Sequence, residues 1–306
     1  MGEGRGGRVS GVEPLRVACA ARRDYVPHAA AMLDSVLGQS SRPLEVHFLH
    51  GADLRARARS RLGGMIEARG AAIDFHEVSA ERVRGLRTID FLPASHWYRI
   101  FLPELLADVD RILYLDADTI AVDSLDPLWE TELGSHPVAA VTNVFQHDHV
   151  DHPRRIGLAR PDSYFNTGVM LLSLEALRRE DAPAELWRCA HANRERLGFP
   201  EQDAMNLVIG ERRLPLHPRW NAMNSVLQFD SAASVLGSKA VAEARESPAI
   251  RHFEGPGVNK PWHLLCDRPD RELYAEHRRR TPWPRIRPAG ITPANLARWL
   301  GRRIRG

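Results

Sequence analysis

The chain has 306 residues, enough for one large domain or two small ones, with 43% hydrophobic and 26% charged residues. That composition excludes a disordered, collagen-like or coiled-coil chain, and no run of about 18 apolar residues predicts a membrane-spanning helix. The net charge of +3, from 42 basic against 39 acidic residues, gives no broad basic surface for nucleic acid. The Gly- and Arg-rich start lacks the apolar segment of a secretory signal. Three scattered cysteines without a CxxC fit a reducing, cytoplasmic setting. Only two lysines occur, Lys239 and Lys260, and the basic excess concentrates after Arg268.

In chain order, residues 1–13 are expected to be a flexible tail. Residues 15–20 are predicted as a buried strand, followed by a helix over about 27–39 with Pro27 near its first turn. Strands are expected over 44–50 and 72–78, separated by a helix that Asp53 could cap. A helix is predicted over 95–106, then a strand over 111–118 running into Asp116 and Asp118. Further strands are expected over 137–144 and 166–174, with helices near 182–197 and 202–209. Residues 214–261 read as a long irregular stretch, and residues after about 267 as a separate basic tail. The β-α-β-α order argues for a mostly parallel, mixed sheet flanked by helices, with ligands beyond the carboxyl ends of the strands.

Asp116 and Asp118 stand where an apolar strand ends. Two residues apart on a strand, their carboxylates face one side and repel unless a cation lies between them. Mn²⁺ or Mg²⁺ suits such hard oxygen ligands. A turn cap beside a solvated carboxylate is the other reading of the same pair. The segment LDADT also resembles the haloacid-dehalogenase phosphatases, in which the first Asp is a nucleophile. There, however, the strand is usually the first of the core, and a Gly follows the second Asp.

Other segments separate these readings. Residues 163–174 (SYFNTGVMLLSL), 201–206 (EQDAMN), 252–262 (HFEGPGVNKPW) and 97–106 (WYRIFLPELL), with the DxD, resemble the motifs of glycosyltransferase family 8 in the family's order. The resemblance spans about residues 15–265. It implies a single nucleotide-diphospho-sugar transferase domain of the GT-A type over 14–266. The implied activity is retaining, metal-dependent transfer of a hexose, galactose or glucose, from a UDP-sugar to a glycan or glycolipid acceptor. A sugar phosphatase and a non-catalytic nucleotide-sugar-binding module are the alternatives. By the same resemblance, Asp116, Asp118 and His252 would ligate the metal. Ala20, Ala21, Tyr25, Arg99, Ala117, Gly255 and Lys260 would hold the nucleotide and diphosphate. Asn143, Asn166, Glu201 and Gln202 would surround the transferred sugar. The family usually carries an acidic residue soon after the Ala pair; here Arg22 and Arg23 stand first, and Asp24 is the candidate substitute. The family more often has Asp at the positions of Glu201 and Asn143. Retention could arise by double displacement or by front-face attack; an amide at Gln202 is a poor nucleophile, which favours the front-face route.

Residues 292–305 open with Thr and Pro, a helix start. Leu296, Trp299, Leu300 and Ile304 share one helical face, and Arg298, Arg302, Arg303 and Arg305 add charge. Such a basic amphipathic helix suits peripheral contact with an anionic membrane, or it docks on the domain.

Overall fold

The computed structural model describes residues 12–305, with side chains up to residue 302. Residues 1–11 of the expected tail, and the side chains of Arg303, Ile304 and Arg305, lie outside the described residues. The apolar run Leu15–Ala20 (β1) is central. It pairs in parallel with Leu44–His50 (β2) on one side and Arg111–Leu115 (β4) on the other. Ala72–Glu77 (β3) extends β2 in parallel at the sheet edge. After β4 the chain turns through residues 116–118 into Thr119–Ala121 (β5). Val138–Thr142 (β6) and Phe165–Ser173 (β7) follow; β7 runs antiparallel to both β4 and β6. Leu214–Pro215 (β8) closes a seven-stranded sheet of order β3-β2-β1-β4-β7-β6-β8. This is the mixed, mostly parallel sheet that the element order implied, and its buried strands carry near-continuous apolar runs as such sheets require.

Helices cover both faces. Val26–Leu37 and Ala56–Glu67 pack on the side of Val17, Cys19, Leu113 and Leu171. Ala182–Ala192 and Pro200–Ile209 pack on the side of Ala18, Tyr114, Met170 and Leu172. A second, three-stranded sheet has the order β5-β10-β9, where β9 is Ala222–Met223 and β10 is Ile250–His252. Residues 116–118 therefore lie at the handover between the two sheets.

Four expectations change. The segment 95–106 is a 3-10 helix, Ala94–Phe101, followed by one short turn, Leu102–Leu105. Pro103 has no N–H to give the Arg99 carbonyl, which instead accepts the tighter bond from Leu102. Asp53 does not cap its helix. Arg55 holds that position without a side-chain bond, and Asp53 accepts the backbone N–H of Arg23 at 3.0 Å. The stretch 214–261 contains β8, β9, β10 and the helices Asn224–Gln228, Ser231–Leu236 and Ser238–Glu246. Each is shorter than the window over which periodicity can be read. The segment after 267 is not separate: the helix Arg271–Arg279 docks on Val26–Leu37 through buried Tyr274, whose hydroxyl meets His28 at 2.7 Å, and through His277, 2.9 Å from Asp34. The final helix, Pro293–Arg305, forms where expected, with Thr292 Oγ1 accepting the Asn295 N–H at 3.1 Å.

Candidate functional site

One cavity of about 610 Å³ opens beyond the carboxyl ends of β1 and β4, and every site residue picked from the sequence except the substitute Asp24 lines it. Its centre is set by register. In the antiparallel pairing of β10 with β5, His252 stands opposite Thr119, one residue after Asp118. Asp116, Asp118 and His252 thereby bring one oxygen or nitrogen each to within 4.8 Å of one another. Gly168 of β7 runs alongside, its carbonyl accepting the Asp116 N–H at 2.8 Å. A Cβ on Gly168 would stand 2.3 Å from His252 and 2.9 Å from Asp116. Only glycine leaves this cluster room.

Each member is held from behind. Arg99, buried at 3% exposure, donates through Nη2 to Asp116 Oδ1 at 2.7 Å. Tyr114 donates to the same oxygen at 3.2 Å. The other Arg99 nitrogens are spent on the carbonyls of Thr167 and His96. Arg99, expected to reach the diphosphate or the sugar, holds Asp116 in this structure. Lys260 donates to Asp118 Oδ2 and, at 3.0 Å, to the Phe253 carbonyl. Burial alone would raise the Asp118 carboxyl; the Lys260 ammonium outweighs it and holds that carboxyl well below the usual range.

The tautomer of His252 follows from a chain of fixed donors. The Gly168 N–H can only donate, and it donates to Asn166 Oδ1 at 3.0 Å. The same oxygen accepts from Asn221 Nδ2 at 2.9 Å. That leaves Asn221 Oδ1 to accept from His252 Nδ1 at 2.9 Å, so Nδ1 carries the proton. In the neutral imidazole that leaves Nε2 as the lone-pair atom, 3.4 Å from Asp118 Oδ1. Two lone pairs facing each other beside a second carboxylate form a donor set that fits a divalent cation.

The far end of the cavity is neutral in character. Asn166 Nδ2 donates to Asn143 Oδ1 and to Gln202 Oε1, both at 3.2 Å. Gln202 Oε1 also accepts the Thr167 N–H at 3.1 Å. Glu201, buried at 4% exposure, accepts from Thr167 Oγ1 at 3.2 Å and lies 3.5 Å from Arg99. Burial pushes its carboxyl up to about 7, against the pull of Arg99.

Beside the end of β1, where Ala21 follows Ala20, Tyr25 meets Trp262 edge to face at 5.7 Å. Asp24 does not line the cavity; it pairs with Arg22 at 2.7 Å. Gly255 has φ +86°, and a Cβ there would lie 2.7 Å from Asn259, so this loop needs glycine on both counts. Sequence reasoning missed Asn221, which sits in a stretch without periodicity or motif, and Asp203. Asp203 is fully buried and gathers Tyr164, His152 and the Gly198 and Phe199 N–H groups.

Known proteins resemble this chain in sequence and fold. General stress protein A of Bacillus subtilis is 27% identical over 280 residues, covering 90% of this chain and 96% of that one. A lipopolysaccharide 1,2-glucosyltransferase of Escherichia coli K12 is 22% identical over 276 residues, covering 89% and 79%. The crystal structure of the galactosyltransferase LgtC, in complex with donor and acceptor sugar analogs, superposes with a TM-score of 0.79 at 25% identity, covering 93% of this chain and all of that one. The model of glycosyl transferase family 8 matches residues 16–266, from the second residue of β1 past the Lys-Pro-Trp loop. The match spans the acidic pair after β4, the Asn-Thr-Gly of β7 and the histidine ending β10, and it removes the phosphatase alternative: this chain belongs to glycosyl transferase family 8.

Proposed function

We propose that the chain is a retaining, metal-dependent hexosyltransferase that moves galactose or glucose from a UDP-sugar to a glycan or glycolipid acceptor. The observation that carries this reading is the meeting of Asp116, Asp118 and the Nε2 lone pair of His252 in one cavity with Lys260 and the Asn166–Gln202 network. Asp116, Asp118 and His252 would hold Mn²⁺ or Mg²⁺. When bound, the cation supplies electrostatic stabilisation to the departing diphosphate. Lys260 adds a compact positive charge on the same group, swinging from Asp118 to phosphate oxygens. Tyr25 offers a ring face to the base, and the bare backbone at Ala20, Ala21, Ala117 and Gly255 lets nucleotide and phosphates approach. Glu201, Asn143, Asn166 and Gln202 orient the sugar through its hydroxyls.

Glu201 is engaged by Thr167 and faces Arg99. Gln202 presents an amide whose oxygen already accepts two hydrogen bonds. Neither suits a nucleophile, so the reading is front-face attack. The acceptor hydroxyl forms the new bond to the anomeric carbon, the sugar–phosphate bond breaks, and the proton passes to the leaving phosphate. A panel of nucleotide-sugars with Mn²⁺, scored for slow release of free nucleoside diphosphate, tests donor and metal together. Release from UDP-hexoses is expected. Release of inorganic phosphate from sugar phosphates, with no nucleotide-sugar turnover, would overturn the reading.

The acceptor side of the proposal includes the membrane. Among the described residues no helix is long and apolar enough to cross one. The final helix exposes Leu296 and Leu300 beside Arg298 and Arg302. We place it peripherally on the anionic inner face of the membrane, where it would bring a cytoplasmic transferase to a lipid-linked acceptor. Co-sedimentation of the full chain with anionic vesicles should exceed that of a chain stopped at Pro288, and should fall with salt. Equal binding by both chains would remove the tail from this role.

A further inference from the structure

We propose that Arg23, Arg55, Arg57 and Arg61, gathered around Trp283, form a second binding site, outside the donor cavity, for a phosphate group. These residues and Ala58 line a separate cavity of about 390 Å³. Its floor is built. The Arg61 guanidinium lies 4.8 Å over the Trp283 ring and donates to the Pro282 carbonyl, which fixes one cationic fork in place. Ala58 and Trp283 pack on the main core and give the cavity an apolar base.

The charge around that floor is uncompensated. Arg23, Arg55 and Arg57 are exposed, and among the described residues none of them pairs with a carboxylate. Nearby arginines behave differently: Arg22 pairs with Asp24, and Arg69 with Asp34. Asp53, close in sequence, gives its carboxylate to the Arg23 backbone N–H and to no guanidinium.

The helix that presents these residues makes the point independently. Ala56–Glu67 begins with no acidic residue in its first turn and no side-chain cap. Arg55 and Arg57 stand at that end, where the helix dipole already places positive charge. Ordinary helix design puts acidic groups there, so the sequence works against its own local stability. A bound anion resolves both conflicts. It neutralises the guanidiniums and lies favourably at the positive end of the helix dipole. Several planar forks around one point match the oxygens of a phosphate better than those of a single carboxylate. Arg285 and Arg287, exposed and likewise without a carboxylate partner among the described residues, continue the positive charge along the chain toward the final helix.

The phosphate can belong to a free anion or to a lipid headgroup, and two arms separate them. The full chain and an Arg55→Ala/Arg57→Ala variant are titrated with inorganic phosphate, followed by ³¹P line broadening, with the donor cavity saturated by UDP. Both proteins are also sedimented with phosphatidylcholine vesicles with and without phosphatidic acid, the final helix intact in each. Removing two arginines is expected to weaken the preferred ligand about 30-fold, while nucleotide-sugar hydrolysis is unchanged. Loss in the phosphate arm assigns a free anion; loss confined to phosphatidic acid vesicles assigns a headgroup. Both substituted residues are exposed on the surface, so folding is retained, and thermal melts check this. An Arg57→Glu variant, which restores an acid to the first turn, should lose phosphate and gain thermal stability. Identical binding by all three proteins in both arms would overturn the site.

Discussion

The two ends of the cavity are built differently. At the end proposed to hold the metal, Asp116, Asp118, His252 and Lys260 are ionised or lone-pair groups brought together from the turn after β4, from β10 and from a loop, and Lys260 is tied to Asp118. At the end proposed to hold the sugar, Asn143, Asn166 and Gln202 satisfy one another and the β7 backbone through amide hydrogen bonds. The first arrangement is poised to exchange partners, because Lys260 and a cation compete for one carboxylate. The second is already complete and changes little when a sugar arrives. On the proposed function, charge stabilisation and sugar positioning fall to different kinds of group, and substitutions at the two ends should fail differently.

The largest effect is expected at the metal end. A chelator should abolish turnover and Mn²⁺ restore it. Asp118→Asn, which keeps the shape and removes the charge, should cost on the order of 10²-fold or more in kcat. Full turnover in excess chelator would sink the contrast. Lys260→Ala comes next, with kcat lowered by about 10²-fold and binding of the free nucleoside less affected. Lys239, 92% exposed on its side chain and only 3.8 Å from Glu243, provides the control: its replacement by Ala should leave kcat unchanged. Equal small effects at both lysines would show that the Lys260 charge is not used on the leaving group.

Much of this was legible in the sequence because it was written locally. The apolar run ILYL ending in DAD located the turn between the sheets, and the isolated Lys260 stood out against a background of arginine. What could not be read depended on long-range register. The pairing of His252 with Thr119 joins residues more than a hundred positions apart. Asn221 acts only through the orientation of two other side chains. The docking of Arg271–Arg279 rests on buried Tyr274, partly buried Leu273 and the contact of His277 with Asp34 in a largely polar helix, too sparse a pattern for periodicity to register. The Glu-Gln-Asp motif carried a mixed message: its first two residues line the cavity, whereas Asp203 is buried among local donors.

Asn221 is where the two ends meet, and it gives the third prediction. It accepts from His252 Nδ1 and donates to Asn166. Asn221→Ala frees the imidazole to adopt the other tautomer. Loss of such an outer hydrogen bond to a ligating histidine typically costs 10–100-fold in metal affinity. Mn²⁺ titration followed by paramagnetic broadening should show that loss directly. Asn221→Asp, which still accepts from Nδ1, should recover most of the affinity while losing the donor to Asn166. An unchanged Mn²⁺ affinity in both variants would separate the two ends completely.

The smallest expected effect lies behind the Lys-Pro-Trp loop. His28 stacks on Trp262 at 3.5 Å and meets the Tyr274 hydroxyl at 2.7 Å, so one ring supports both the loop that carries Lys260 and the docked helix. Burial first, and Lys260 second, push its pKa down to about 3. A histidine held neutral in the fold contributes stability that is present above its unfolded value near 6.5, and loses it as pH falls toward 3. At pH 5 the loss from this residue is about 2 kcal/mol. His47, also pushed down to about 4 by burial, adds to the slope but is common to any variant compared at position 28. His28→Phe keeps an aromatic ring against Trp262 and gives up the bond to Tyr274. It should be about 1 kcal/mol less stable at pH 7.5, yet lose about 2 kcal/mol less than the parent on going to pH 5. Denaturant unfolding at the two pH values measures both numbers. Parallel loss in the two proteins would mean that His28 can take a proton in place, and that the wall behind Lys260 is looser than its stacking distance indicates.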